Sequence, residues 1–157
     1  MVVPQLYIRR AAFADADLIA HITRAAWKNK VSLESGAHRE TPESVLHDLR
    51  SGGGLIATIN GETVASLRWF NLTPTARELK RMGVLADFRK QGIAQKLMAE
   101  AINIARQDGV TDLRLAVRVD QPQLVKAYEL AGFRVDDTLI YSHANPLSPP
   151  PVVMRLA

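Results

Sequence analysis

A glycine-containing loop that enters a long helix is the segment of this sequence best suited to chemistry. The first amides of a helix have no partner within it, and the helix dipole adds partial positive charge at that end. A glycine and a small residue there leave room for a close approach, and two basic side chains add charge. The loop therefore predicts a site for an anion such as a pyrophosphate. The segment reads Arg89-Lys90-Gln91-Gly92-Ile93-Ala94. Taken alone, it fits a basic turn before an ordinary amphipathic helix equally well.

Strands and helices alternate around this loop. An apolar run at Glu78–Leu85 precedes it, and the helix that starts at Ile93 ends at Asp108-Gly109. The residues Leu113–Val119 alternate between apolar and polar, which predicts a strand. Pro122 then opens a shorter helix that Gly132 ends. This order of strand, helix and strand implies parallel pairing in the second half of the chain.

The first half of the chain predicts two helices and an antiparallel hairpin. Asn60-Gly61 is a strong hairpin signal, because both residue types tolerate positive φ. Thr41-Pro42-Glu43 is typical of a helix start, with a threonine cap and a proline in the first turn. The predicted order along the chain is β α α β β β α β α β β. The predicted strands outside the loop region are one at Leu6 and Ile8, then Leu55–Ile59, Thr63–Phe70, Phe133–Tyr141 and Val152–Leu156.

Composition places the chain among ordinary globular proteins. It has 157 residues, 47% of them apolar and 23% charged, which predicts a single domain spanning residues 1–157. The absence of cysteine excludes disulfides, thiolate–zinc sites and a cysteine nucleophile. The four histidines are scattered without metal-ligand spacing, so we expect no metal.

The charge balance is mildly basic, with a net charge of +4 and an isoelectric point of about 9.7. No block of like charges and no apolar run of about 18 residues stands out, and the N-terminus does not read as a secretory signal. We therefore expect a cytoplasmic protein without a membrane span. The isoelectric point makes nucleic-acid binding a competing interpretation. Dispersed basic residues and 6% aromatic residues argue against it.

Two motifs at a matching separation carry a resemblance to a known family. The stretch from Met82 to Ala94, followed by the long helix, resembles the GNAT superfamily of acyl-CoA-dependent N-acetyltransferases. Tyr128, with Gly132-Phe133 downstream, is similar to the tyrosine and Gly-Phe signature of that superfamily. The order of elements agrees from Leu6 to Leu156, although the specific motifs lie only in Glu78–Phe133.

The resemblance implies an α/β fold in which a mixed sheet of about seven strands is flanked by about four helices. Two parallel strands, Glu78–Leu85 and Leu113–Val119, would splay apart and hold acetyl-CoA. The pantetheine arm would pair with the backbone around Met82 and Val84, and the pyrophosphate would rest on the glycine loop. The implied cofactor-binding residues are Met82, Gly83, Val84, Arg89, Lys90, Gln91, Gly92, Ile93, Ala94 and Gln121. Gln121 stands where the family often has asparagine.

Two side chains and one backbone segment have expected roles in acetyl transfer. The resemblance implies that Tyr128 lies near the sulfur, where its hydroxyl could protonate the leaving thiolate. Glu78 stands where some members of the family keep a glutamate that acts as general base, directly or through a water. Gly83, with Val84, would place a backbone N–H on the thioester carbonyl. The alternatives are a core tyrosine on an apolar helix face and a surface glutamate that pairs with a neighbouring basic residue.

The acceptor is less defined than the acyl donor. The family builds its acceptor site from segments that correspond to Trp27–Glu40, Trp69–Asn71 and Tyr141–Pro151. Within the first of these, Glu34, His38 and Glu40 could meet a cationic amine. We expect an N-acetyltransferase that acts on a primary amine of a small metabolite or of a protein or peptide, without a metal. A non-catalytic acyl-CoA-binding module is the alternative, and a homodimer is left open.

Overall fold

The strands of the chain form one sheet in a computed structural model that describes residues 5–28, 39–141, 147 and 149–156. The sheet has seven strands in the order β1-β2-β3-β4-β5-β7-β6. The strands are β1 (Leu6–Arg10), β2 (Gly52–Ile59), β3 (Glu62–Thr73), β4 (Ala76–Val84), β5 (Asp112–Val117), β6 (Phe133–Val135) and β7 (Val152–Leu156). The four α-helices in these ranges are α1 (Ala16–Trp27), α2 (Pro42–Ser51), α3 (Ile93–Gln107) and α4 (Gln123–Leu130).

The sheet is mixed, because β4 and β5 pair in parallel and the other neighbours pair antiparallel. The element order and the mixed sheet expected from the sequence are confirmed. None of the helices that the structure describes is long and apolar enough to span a bilayer.

Helices cover both faces of the sheet. On one face, Leu97 and Met98 of α3 pack against Leu79 and Leu115 in the larger apolar core, and α4 adds partly buried residues to it. On the other face, α1 and α2 pack against β2 through a smaller cluster that includes Ile56. The sheet therefore separates an α3/α4 face from an α1/α2 face.

The start of α2 follows its sequence signal. The Ser44 amide donates to Thr41 Oγ1 at 3.1 Å, and Pro42 occupies the first turn. This cap fixes the direction of the chain that leads into α2. It thereby places Glu40, one residue before the cap, against the sheet, where Glu40 is 5% exposed.

Several strand boundaries differ from the prediction, among them the start of β2 and the end of β6. β2 begins at Gly52 rather than Leu55, because the three glycines pair with β3 instead of ending the helix in a loop. Glycine is required there, since a Cβ on Gly52 would lie 1.9 Å from the Trp69 carbonyl oxygen. β6 ends at Val135, well short of Tyr141, and residues 136–141 continue without strand pairing.

Candidate active site

A gap opens between the two parallel strands. The β4–β5 pairing runs from Ala76 opposite Asp112 to Leu79 opposite Leu115 and goes no further. β4 nevertheless continues to Val84, while the end of β5 pairs with β7 on its other side. Among the residues described, the edge of β4 from Lys80 to Val84 has no strand partner on the β5 side. Apart from the Val84 carbonyl, which accepts from Arg89 Nε, its outward backbone groups are thus open to an extended ligand.

A bulge in β4 changes which side chains face each side of this gap. Gly83 lies opposite Ser66 and Lys80 opposite Arg68, so β4 has one extra residue there. Arg81 carries that bulge in the left-handed region, with φ of 56°. A bulge shifts the alternation of side chains along a strand.

The shift is visible in the contacts of the four residues from Lys80 to Gly83. Lys80 and Arg81 both reach the α1/α2 face, where Lys80 pairs with Asp48 at 3.2 Å. Met82 instead lines a cavity between α3 and α4. Gly83 turns back towards α1, and a Cβ there would lie 2.8 Å from the Ala26 Cβ atom. Glycine at this position therefore permits the close packing of α1 on β4.

The glycine loop presents the start of α3 to the same end of the sheet. Lys90 and Gly92 both have positive φ, 64° and 78°, and Gly92 is the N-terminal cap of α3. The Lys96 amide donates to the Gly92 carbonyl at 3.1 Å. The amides of residues 93–95 consequently have no partner within the helix, as the first turn of any helix requires. Lys90 and Gln91 are exposed beside them, whereas the side chain of Ile93 is in the core.

An apolar cavity of about 320 Å³ lies between α3 and α4 and reaches β4. It brings together three of the predicted site residues, Met82, Ala94 and Tyr128. The remaining walls come from Gln95, Met98, Ala99, Ile102, Ala127, Leu130 and Ala131. The cavity is therefore bordered by the open edge of β4 and by the first turn of α3.

Tyr128 is held in this wall by its aromatic ring. The ring meets Phe133 edge to face, with centroids 6.3 Å apart. Burial raises the pKa of Tyr128 to about 12. The hydroxyl group therefore keeps its proton at neutral pH and can donate it to a stronger base.

Glu78 lies on the other face of the sheet from Tyr128. It is opposite Phe70 in the register of β3. Its side chain lies on the same face of the sheet as that of Lys80, whose ammonium lies 4.2 Å from the Phe70 ring centroid. Glu78 is 1% exposed. The pKa of Tyr141 is raised, first by burial and next by the charge of Glu78, which indicates that these two residues are close. The surface alternative for Glu78 is wrong.

Gln121 lies at the entrance to α4 and is 8% exposed. Its side-chain oxygen accepts a hydrogen bond from Gln123 Nε2 at 2.8 Å, and its backbone amide donates to the Arg118 carbonyl. Gln121 follows the last residue of β5 by four positions and is not among the residues that line the cavity.

A buried ionic cluster beside the gap was missed by the sequence analysis. Arg68 is fully buried and donates to Asp48 at 2.7 Å and to Glu40 at 3.1 Å. Glu40 also accepts from Arg81 Nε at 2.8 Å. Burial alone would raise the pKa of Glu40, but the neighbouring Arg68 and Arg81 lower it to about 2. The signal that could have found the cluster is an arginine in the middle of the apolar run of β3.

Glu40 is thus engaged with arginines, which removes it from the residues that we expected to meet a cationic amine. Glu34 and His38, the other two, lie outside the described residues, as does most of the predicted acceptor segment after Tyr141. In the part of the chain that the structure describes, no three His, Asp or Glu side chains cluster as a metal site would require.

The open β4 edge, the capped start of α3 and the mixed sheet agree with the fold that the sequence resemblance implies. A family model described as the acetyltransferase (GNAT) family matches residues 18–133. The chain belongs to the GNAT family of acetyltransferases. A search among curated proteins finds no significant match.

Solved structures of the same fold are similar over nearly the whole chain. One is the PaiA N-acetyltransferase of Thermoplasma acidophilum in complex with coenzyme A, with 19% identity, a TM-score of 0.77, and 96% and 98% of the two chains covered. Another is the ribosomal-protein-S18-alanine N-acetyltransferase of Escherichia coli, with 18% identity, a TM-score of 0.76, and 97% and 93% covered. A third, from Elizabethkingia anophelis with acetyl-CoA bound, has 17% identity, a TM-score of 0.73, and 96% and 97% covered. At these identities the comparisons show the fold.

Proposed function

We propose that this protein transfers the acetyl group of acetyl-CoA to a primary amine of a small metabolite or of a protein or peptide. The amine attacks the thioester directly, while both substrates are bound. The observation that carries the proposal is the unpaired edge of β4 from Lys80 to Val84, which ends beside the free amides of α3. Two structural relatives bound to coenzyme A or acetyl-CoA support this choice of donor.

The acyl donor fits the α3/α4 face. The pantetheine arm, which carries two amides, pairs with the backbone of Met82 and Val84 as an added strand would. The diphosphate lies on the first amides of α3, where unpaired N–H groups and the helix dipole favour an anion. Exposed Lys90 adds a positive charge there. The apolar cavity of about 320 Å³ between α3 and α4 has room for part of the pantetheine arm.

The acceptor amine approaches from the α1/α2 face. Glu78 lies on that face, whereas Tyr128 and the cavity lie on the other one. The two candidate acid–base groups therefore stand on opposite sides of the gap, so that one can serve the incoming amine while the other serves the departing thiolate. Glu78 takes a proton from the incoming ammonium, directly or through a water, and frees the nitrogen lone pair.

The transfer then proceeds through a tetrahedral intermediate. The amine nitrogen bonds to the thioester carbon, and the negative charge on the carbonyl oxygen is stabilised by a backbone N–H around Gly83 and Val84. Collapse of the intermediate breaks the C–S bond. Tyr128 gives its proton to the departing thiolate. The attached nitrogen loses its second proton, which restores the Tyr128 hydroxyl group directly or through water, so the products are an amide and free coenzyme A.

A thiol-release assay with acetyl-CoA and a panel of amines tests this function. The panel holds polyamines, amino sugars, free amino acids and peptides with a free N-terminus, each with the Tyr128→Phe variant as control. We expect release of coenzyme A with at least one amine and much slower release with the variant. Acetyl-CoA binding without release for any amine would favour the non-catalytic binding module instead.

A further inference from the structure

Arg89, the first residue of the glycine loop, makes contacts that differ from those its charge suggested. Its Nε atom donates to the Val84 carbonyl at 3.1 Å, and its Nη2 atom donates to the Ala26 carbonyl. The side chain is half-buried between these partners. One guanidinium thus joins the glycine loop to the ends of two other elements, β4 and α1.

Both partners are groups that need a donor. Ala26 lies in the last turn of α1, where carbonyls have no partner within the helix and the dipole is negative. Val84 is the last residue of β4, at the point where β5 has already diverged. A guanidinium has five N–H groups in a fixed plane and can serve two carbonyls at once, which a single ammonium on a flexible chain does poorly.

Lys90 is placed differently. It is exposed, it has φ of 64°, and it stands beside the free amides of α3. We therefore propose that Arg89 is a positioning residue, which holds the glycine loop on β4 and α1, and that Lys90 supplies the side-chain charge for the diphosphate. The inference rests on the proposed acetyl-CoA site.

The inference also links the two faces of the gap. Ala26 and its neighbour Trp27 are the residues of α1 that pack on Gly83, and α1 lies on the face from which the amine is proposed to approach. The bond from Arg89 to Ala26 joins this helix to the loop that binds the diphosphate. Loss of the bond should therefore weaken binding of acetyl-CoA even when positive charge is kept at position 89.

The test is the acetyl-CoA affinity of Arg89→Lys, Arg89→Gln and Lys90→Gln, each measured by calorimetry at several salt concentrations. Arg106→Gln, at the far end of α3, controls for net charge. We expect Arg89→Lys and Arg89→Gln to weaken binding alike, by about tenfold, because hydrogen bonds to a charged group are lost in both. Their salt dependence should match that of the wild type. Lys90→Gln should show a shallower salt dependence, because screening acts on the charge that it removes.

Thermal unfolding without ligand shows whether a variant is merely unfolded, and hydrogen exchange of residues 89–92 reports on the loop itself. We expect both Arg89 variants to remain folded and to exchange faster in this loop. Wild-type affinity in Arg89→Lys, combined with weak binding and a shallow salt dependence in Arg89→Gln, would overturn the inference and assign Arg89 to the phosphates. Absence of acetyl-CoA binding by the wild type would instead refute the proposed function.

Discussion

Tyr128 combines a hydroxyl group in the wall of the α3/α4 cavity with a pKa that burial raises to about 12. Such a group stays protonated over the whole range in which an amine acceptor is reactive. At neutral pH it is therefore present as the neutral phenol, which can hydrogen-bond the departing thiolate or give it a proton, and it does not suit the role of a base. Tyr128 fits both interpretations, that of a core residue and that of a functional one. Its ring packs on Phe133, while its hydroxyl group remains available for chemistry.

We expect Tyr128→Phe to lower kcat by about 10²–10⁴-fold, the usual contribution of general acid–base catalysis. The acetyl-CoA affinity should change little, because the ring and its contact with Phe133 are kept. Steady-state kinetics and calorimetry on the same preparation measure both. Tyr7→Phe, which removes an exposed hydroxyl group on β1, is the control. An unchanged kcat would exclude Tyr128 as the acid.

Glu78 is the candidate base, and its place on the α1/α2 face separates it from Tyr128. We expect Glu78→Gln to lower kcat/KM. The fall in rate towards acidic pH that protonation of the base causes should also disappear from the pH–rate profile of the variant. The amide keeps the size of the buried side chain but cannot accept the proton. Glu62→Gln, in the exposed hairpin, is the matched control. A variant with wild-type rates at every pH would show that another group frees the amine.

At the scale of elements, the bulge in β4 depends on the ionic cluster behind it. Arg81 is held at positive φ, a conformation that costs a non-glycine residue about 1 kcal/mol or more. Its bond to Glu40 ties the bulge to the chain that enters α2, and Glu40 also contacts Arg68. The cluster thus holds Met82 and Gly83 on their respective faces.

The stability of this arrangement should depend on pH through Glu40. Its pKa is about 2 in the folded protein, against 4.5 for an unperturbed glutamate. Charged Glu40 therefore stabilises the fold fully above pH 4.5, and this contribution is lost as the pH falls towards 2. A shift of this size corresponds to roughly 3 kcal/mol.

Urea unfolding of the wild type and of Glu40→Gln from pH 7 to pH 2 measures this contribution directly. We expect the wild type to be more stable by about 3 kcal/mol at pH 7, with a difference that shrinks towards zero near pH 2. Glu43→Gln, exposed in the first turn of α2, should show no such trend. A difference between wild type and Glu40→Gln that does not vary with pH would mean that the charge of Glu40 is not what stabilises the cluster.

Local sequence signals predicted much of this fold. The apolar stripe of α3, the Thr41-Pro42 start of α2 and the Asn60-Gly61 turn each depend on residues close in the chain, and each is found in the structure. The turn at Gly92 that leads into α3 was predictable for the same reason, since Gly92 and the helix behind it are contiguous.

Other features depend on contacts between distant segments. The bulge at Arg81 depends on the register of β4 against β3 and on Glu40, 41 positions away in sequence. The contact of Arg89 with Ala26 joins residues 63 positions apart. Single-sequence patterns carry no information about such pairs, so the contacts of Arg89 and Glu40 could not be predicted from the sequence.

At the scale of the whole molecule, the sheet divides the proposed site into a proposed donor face under α3 and α4 and a proposed acceptor face under α1 and α2. The central claim is that acetyl-CoA occupies the open edge of β4 on the donor face. A thermal-unfolding titration with acetyl-CoA tests it most directly, with coenzyme A, ATP and a short RNA as comparison ligands.

At 100 times its dissociation constant, a ligand adds about 2.7 kcal/mol of stability, which raises the Tm of a domain of this size by roughly 5–10 °C. We predict that shift for acetyl-CoA and coenzyme A, and none for ATP or RNA. A folded sample whose Tm does not move with acetyl-CoA would contradict the account, and a shift with RNA alone would favour a nucleic-acid-binding protein.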